Sequence, residues 1–394
     1  MRNGCRASVR MRKSWLLLRA QRGDFLNMTW DDERLKQLIK DLVLIESPSF
    51  DAEGVERVEQ RVVDALDAVG AQCTFHPTPR GPILEVRRGQ GGALLLGHAD
   101  TVWPAGTLKT MPFIDSGGGL AGPGVLDMKA GLAYTAAAVS QLPADVPFDW
   151  LVTPDEEVGS EVSRSLIEDR AKMASLVLVA EPGAEAGALK IGRAGVGSFL
   201  LEIVGIASHA GLDPRQGASA IRELAQQILW LGSLENQVLG TTVNVGVVEG
   251  GTRPNVIAGH AKAQIDIRVR TVKEMERMQE TLNHPPHFDT RTSIRYVGGF
   301  SRPPMDLRPE AAWWFDWAAS VWHEMTGQVL AGVNVGGASD GNFTATLAPT
   351  LDGLGAVGQG AHALHERMEW DYTMPRIHLL QALITHAALK EERP

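Results

Sequence analysis

Cysteine is almost missing: Cys5 and Cys73 are the whole supply in 394 residues. Neither a disulfide framework nor a thiolate metal site can be built from two, so any metal must be held by His, Asp and Glu. Long apolar runs are missing too. None approaches the roughly 20 residues a membrane span needs, which argues against an integral helical membrane protein. No concentrated basic stretch appears beyond the first thirty residues, and the net charge is -9. A phosphate-binding surface needs concentrated Lys and Arg, so a nucleic-acid partner is not expected. The exception is the start of the chain, where Arg2, Arg6, Arg10, Arg12, Lys13, Arg19 and Arg22 face the single acid Asp24. Its apolar core, Trp15 to Leu18, is too short for a secretory segment. The sequence therefore predicts a cytoplasmic protein in which 1–27 form a disordered extension, upstream of a start at Met28.

What is present is a globular composition, and the length is too great for one ordinary core, so two compact domains are expected. Helical spacing of apolar residues marks 31–45 and 55–69. Short apolar runs at 93–96, 150–152 and 176–180 then alternate with an Ala-rich helical stretch at 128–142, which reads as α/β with a buried, largely parallel sheet. Beyond Gly192 the pattern changes. Phe199, Leu201 and Ile203 alternate, a helix is expected near 218–231, and strands at 241–248 and 261–269. That β-α-β-β order predicts an antiparallel sheet with helices on one face, closed by the Pro-rich stretch 302–304. A Trp-rich helix (Trp313, Trp314, Trp317, Trp322) and a final helix at 375–389 return the chain to the first domain, and the tryptophans read as core residues.

Three of the apolar runs end in potential metal ligands. LLLGHAD supplies His98 and Asp100, WLVTPDEE supplies Asp155, Glu156 and Glu157, and LVLVAEP supplies Glu181. In an open parallel sheet the site lies beyond the carboxyl ends of the strands, so groups distant in sequence would converge there. Asp127, after the glycine-rich turn in GPGVLDMKAG, and His362, in GQGAHALHE, are placed to join them. Such a concentration of carboxylates is self-repelling unless cations neutralise it. Mixed imidazole and carboxylate donors suit zinc, with cobalt or manganese as substitutes. Each residue alone has a plain structural reading: a hydrogen-bonded histidine, a solvated acid pair at Glu156 and Glu157, a helix cap at Asp127. Their joint placement at strand ends carries the metal reading.

Taken together, GHADTV, GPGVLDMKAG, TPDEEVGS, AEPG, GIASHAG, GGTRPNVI and GAHALHE stand in the order and approximate spacing of the M20 family of zinc peptidases. From Met28 onward the chain resembles that family's glutamate carboxypeptidase branch. The resemblance implies an α/β catalytic domain with a mainly parallel sheet (28–192 and 303–394) and an inserted α+β, ferredoxin-like lid and dimerisation domain (193–302). It implies two zinc ions per chain, Asp127 bridging them, Glu157 and His362 completing one site, and His98 and Glu181 the other. Asp100 would orient His98. Glu156 would act as general base, taking a proton from the attacking water and passing it to the leaving nitrogen.

In HALH either imidazole is a candidate ligand. Counting from the final helix and from the acid Glu366 assigns His362 and leaves His365 a surface residue without a role. His209, in the SHAG motif, is implied to serve the partner subunit's site as an oxyanion donor, hence a homodimer. Arg302 and Asn255 are implied substrate binders, with Arg193 and Arg253 as further candidates for gripping a carboxylate. Ser339 and Asp340 would border the substrate pocket. Ala194 stands where glutamate-specific relatives carry serine, so the leaving amino acid is left open. The implied activity is cleavage of an amide bond next to a free carboxylate, releasing a C-terminal amino acid. An N-acyl or N-succinyl amide hydrolase of the same fold is the alternative, and a catalytically silent dimeric binding protein is the reading from another class.

Overall fold

The computed structural model describes residues 30–66 and 69–389, so the basic extension 1–27 and Met28 lie outside the described residues. The chain divides into two compact units, one of Gly192–Asp306 with Asn334–Ala338, the other of the chain before it together with Leu307–Val333 and the stretch from Ser339 onward.

The larger unit is built on a six-stranded sheet in the order Gln72–His76, Ile83–Arg88, Phe148–Thr153, Ala93–His98, Leu176–Val179, Thr350–Leu351. Ala93–His98 runs parallel to both its neighbours and Leu176–Val179 parallel to Thr350–Leu351, while the first two strands form an antiparallel edge. Every residue of Ala93–His98 is buried because helices and loops cover both faces, which is why this strand reads as a continuous apolar run. The helix Asp32–Leu44 begins where the Asp31 carboxylate accepts the Arg34 amide at 2.8 Å, and buries Leu35, Leu38, Ile39, Leu42 and Val43. Asp51 caps the next helix, Ala52–Ala65, in the same way, starting it three residues before the apolar pattern does. The tryptophans are core residues: Trp314, Trp317 and Trp322 of the helix Pro309–Thr326 are buried, and the Trp317 ring stacks on His386 of the final helix Thr373–Ala388 at 4.4 Å.

One expected helix starts late. The Ala-rich helix is Ala130–Ser140, and the residues before it, Val125–Lys129, form a wide turn in which Asp127 and Met128 have non-helical backbones. The helix that follows lies against the sheet so closely that a Cβ on Gly131 would meet the Ala180 carbonyl oxygen at 2.1 Å, so only glycine fits.

The smaller unit has the ferredoxin-like order β-α-β-β-α-β. Its sheet runs Thr242–Gly250, His260–Val269, Gly195–Val204, Ser293–Arg302, all pairs antiparallel. Alternating burial along Gly195–Val204 sends Phe199, Leu201 and Ile203 under the helices Ala220–Ser233 and Val272–Asn283. That second helix and the strand Ser293–Arg302 complete the fold between the last expected strand and the Pro-rich stretch 302–304; the helix sets Met275, Met278 and Leu282 against the core, and the strand is interrupted by Gly298 and Gly299.

Candidate metal centre

The carboxyl ends of three neighbouring strands deliver the donors. His98 is the last residue of its strand, Glu156 and Glu157 follow Phe148–Thr153 on the short turn Glu156–Val158, and Glu181 follows Leu176–Val179 by two residues. Asp127 arrives from the wide turn before the Ala-rich helix. His362 sits in the loop joining the small strands Gly358–Gln359 and Arg367–Glu369, with a left-handed backbone at φ 61°, a conformation in which His is commoner than most side chains.

His98 Nε2 lies 3.3 Å from Asp127 Oδ1 and 3.4 Å from Glu181 Oε1. His362 Nε2 lies 3.3 Å from Asp127 Oδ2 and 3.2 Å from Glu157 Oε2. Asp127 thus turns one oxygen toward each imidazole. Donor atoms of His98, Asp127 and Glu157 lie within 4.8 Å of one another, and so do those of His98, Glu156 and Glu181.

The electrostatics are those of a site short of cations. Burial works against a charged His98, yet Asp100, Asp127 and Glu181 outweigh it and hold its pKa well above the usual imidazole range. His362 is pushed up to about 10 by its hydrogen bonds to Asp127 and Glu157. Burial would raise Asp127, but His362 and His98 bring it down instead. Glu157 is raised, by burial first and then by the charge of Asp127. Lys190, 3.9 Å from Glu181, is the lysine within reach. The side chains therefore draw protons to compensate one another, and Glu157 Oε1 is still buried without a hydrogen-bond partner. An orphaned buried carboxylate oxygen amid two imidazoles and three carboxylates is what a pair of divalent ions would satisfy, so the donor set fits the metal that the sequence implies.

Asp100 anchors the centre more broadly than its expected role. Its main-chain oxygen is 2.9 Å from His98 Nδ1, with its carboxylate farther off at 3.4 Å. The carboxylate chiefly accepts the amides of Glu156 and Glu157, at 3.1 and 3.2 Å, and the hydroxyl of Ser49 at 2.7 Å. Asp155, a candidate ligand by sequence, points elsewhere: it accepts Ser163 Oγ at 2.6 Å and the Val162 amide at 2.8 Å, closing the turn behind the two glutamates. Ser339 and Asp340 are buried. Ser339 donates to Asp352 at 2.5 Å, and Asp340 accepts from Ser160 and, at 3.2 Å, from Thr153. Glu366, which served the sequence only as a register mark, is buried and fully engaged. His365 is exposed.

The remaining candidates lie in the smaller unit, and two come together there. His209 pairs with Val256 across a short two-stranded ladder, and the next amide, Ala210, donates to the Asn255 carbonyl at 3.0 Å. His209 Nδ1 accepts the amides of Gly211 and Leu212, both at 3.1 Å, which places the ring proton on Nε2 of an exposed side chain. Arg302 is buried at the end of its strand. Arg193 is buried as well, its Nη1 donating to the carbonyls of Gly337 and Ala338 at 3.2 and 3.1 Å. Arg253 and Asn255 are exposed.

Fold and donor set together define a metal-dependent hydrolase. The chain belongs to peptidase family M20/M25/M40, whose sequence pattern matches residues 94–386. It is 27% identical over 340 residues to carboxypeptidase G2 of Pseudomonas sp. (strain RS-16), covering 82% of each chain. It is 28% identical over 380 residues to succinyl-diaminopimelate desuccinylase of Caulobacter sp. (strain K31), covering 86% of this chain and 93% of the relative. In fold it is similar to an aminopeptidase of Bacillus cereus, with a TM-score of 0.75 at 21% identity over 91% of this chain and 99% of the other. An M20 family metallo-carboxypeptidase of Sulfolobus solfataricus shares the fold too, with a TM-score of 0.66 at 16% identity over 91% and 100% of the two chains. Among the described residues no helix is long and apolar enough to cross a membrane.

Proposed function

We propose that the protein hydrolyses an amide bond next to a free carboxylate and releases a C-terminal amino acid, using two zinc ions per chain, replaceable by cobalt or manganese. The observation that carries this reading is Asp127 presenting one carboxylate oxygen to His98 and the other to His362, with Glu157 and Glu181 completing the two halves. Two divalent ions held there would neutralise the carboxylates and polarise the scissile carbonyl. Glu156, fixed through its amide to Asp100, is the general base: it accepts a proton from the attacking water and returns it to the leaving nitrogen. His209, with its proton on Nε2, is a hydrogen-bond donor suited to a developing oxyanion, and in a homodimer it serves the site of the partner. Arg302 and Asn255 recognise the substrate carboxylate, with Arg193 beside them in role. A second reading, removal of an N-succinyl or other acyl group from an amino acid, is favoured by the relatives named as succinyl-diaminopimelate desuccinylases.

The test is hydrolysis of a panel of N-acyl amino acids, N-succinyl amino acids and dipeptides by zinc-loaded wild type and Glu156→Ala. The variant is expected to keep its metal and to lose about 10²- to 10⁴-fold in kcat, the span attributable to a general base. Full activity in the variant would remove Glu156 from the mechanism, and the best substrate separates the two readings.

A further inference from the structure

The His362 loop carries a second carboxylate, Glu366, four residues on. It is 1% exposed, and its two oxygens collect four donors. Oε1 accepts the amides of Leu126 and Asp127 at 2.8 and 3.1 Å, and Oε2 accepts the Gly124 amide at 2.9 Å and the Trp103 indole N–H at 2.8 Å. Two of the four belong to the wide turn that presents Asp127, and a third, Gly124, is the residue just before it. These amides stand at the start of the turn, where no preceding helical turn supplies carbonyl acceptors, so a side chain accepts them instead. The same segments are also joined by their backbones. Arg367 and Met368 pair with Ala121 and Leu120, and the Gly122 amide faces the Glu366 carbonyl at 3.4 Å. The hairpin bearing His362 and the turn bearing Asp127 are one rigid piece, with Glu366 as its polar centre.

We infer that Glu366 is a positioning residue: by holding the amides of 124–127 it fixes the Asp127 carboxylate at the reach of His362, so that the ligand shared by both metals and the ligand private to one move together. The arrangement has a counterpart across the site. Asp100 binds the amides of Glu156 and Glu157 while its main chain holds His98, so each carboxylate ties one imidazole-bearing segment to one carboxylate-bearing segment. Neither Asp100 nor Glu366 need touch a metal for this. Four charge-assisted hydrogen bonds to one buried carboxylate are lost together if it is removed, and outer partners of this kind are worth 10- to 100-fold in metal affinity.

The inference rests on the reading of Asp127 and His362 as ligands, and its test separates the two. Wild type, Glu366→Ala and the isosteric Glu366→Gln, each shown folded by near-ultraviolet circular dichroism, are compared in two measurements. One is hydrogen exchange of the Gly124, Leu126 and Asp127 amides in metal-free protein. The other is zinc affinity by competition with a chromogenic chelator. Glu366→Ala is expected to speed exchange of these amides at least about tenfold and to weaken zinc binding about 10- to 100-fold, with Glu366→Gln between it and wild type because it keeps one acceptor oxygen. Wild-type exchange rates, or undiminished zinc affinity, in a folded Glu366→Ala protein would overturn the inference. Faster exchange in the variant, with no zinc bound by wild type, would overturn the metal reading and leave the turn held by Glu366.

Discussion

The larger unit buries two clusters of carboxylates and imidazoles, and they are neutralised differently. At the carboxyl ends of the central strands, Asp127, Glu157 and Glu181 meet His98 and His362 with Lys190 no nearer than 3.9 Å. On the antiparallel side of the same sheet, Glu85 and Asp149 lie beside His76, Arg87 and Arg170. Arg170 Nε is 2.5 Å from Glu85 and 3.4 Å from Asp149, Arg87 is 3.9 Å from Asp149, and His76 is 2.8 Å from Glu85. Burial would raise Glu85, but Arg170 and His76 hold it below its ordinary value, while Asp149, buried beside Glu85, is pushed up to about 6. A guanidinium brings permanent charge and fixed geometry, so these two carboxylates are compensated by cations of the chain itself, although Asp149 Oδ1 is buried without a hydrogen-bond partner. The strand-end cluster is paired instead through the imidazoles of His98 and His362 and through Lys190, and Glu157 Oε1 is likewise buried without a hydrogen-bond partner. One cluster is compensated by arginine, whose charge is permanent; the other is compensated chiefly by imidazoles, whose protons a metal ion could displace. A third case is Glu59, buried on the helix Ala52–Ala65, which is pushed up to about 9 by burial and by Glu56 and Asp100, against the lowering effect of the Leu84 backbone, and so keeps its proton.

This comparison breaks most visibly at the strand-end cluster. Asp127→Asn is expected to abolish tight zinc binding and bring hydrolysis below detection, measured by elemental analysis and turnover. In wild type, free zinc at a thousand times its Kd is expected to raise folding stability by about 4 kcal/mol over the chelated protein, as linkage requires. The same comparison in Asp127→Asn should show almost no difference, and a wild type indifferent to chelation would end the distinction between the clusters. Next in size is Arg170→Met, which strands two buried carboxylates. Urea melts should show a loss of about 2–4 kcal/mol, moderated by the partial exposure of Arg170, with zinc content unchanged. A fall in zinc content would mean that the clusters are one network.

The smallest effect sharpens the third case. The folded protein keeps the Glu59 proton up to about pH 9 while an unfolded glutamate loses it near 4.5. Between these values the folded state binds more protons, so stability falls as pH rises through this window and levels off above it. Glu59→Met removes that slope and should stabilise the protein by roughly 3 kcal/mol at pH 7, an order-of-magnitude figure from the displaced pKa. The gain should vanish below about pH 4.5, where both states are protonated. Melts across pH 4–9 check it, and a pH-independent difference would show that packing, not ionisation, is being measured.

The donors were legible because they interrupt strong local patterns. His98 and Glu181 end apolar runs that can only be buried strands, and both lie where the sheet must open. The helices Asp32–Leu44 and Ala220–Ser233 were legible from spacing and from caps written as Asp31 and Ser219. Less legible was anything set by contacts between distant segments. The wide turn at Asp127 lies between a glycine-rich turn and a sequence that reads as helix, and its amides are satisfied by a residue some 240 positions later. Ser339 and Asp340 sit in a glycine-rich stretch, yet burial and three hydroxyl and carboxylate partners, Asp352, Ser160 and Thr153, make them core.

The sequence by itself determined which side chains meet: strands long enough to be buried, parallel order, and polar residues at their carboxyl ends leave those residues only one place to go. What each does there was decided by tertiary structure. Asp155, Glu156 and Glu157 are three adjacent acids with nothing in the chain to rank them. Folding turns the first inward to Ser163 and Val162, and hangs the other two by their amides from Asp100, toward His98 and His362. Neighbours along a chain share composition, but hydrogen-bond partners are allotted in space, and those partners set orientation, charge and role.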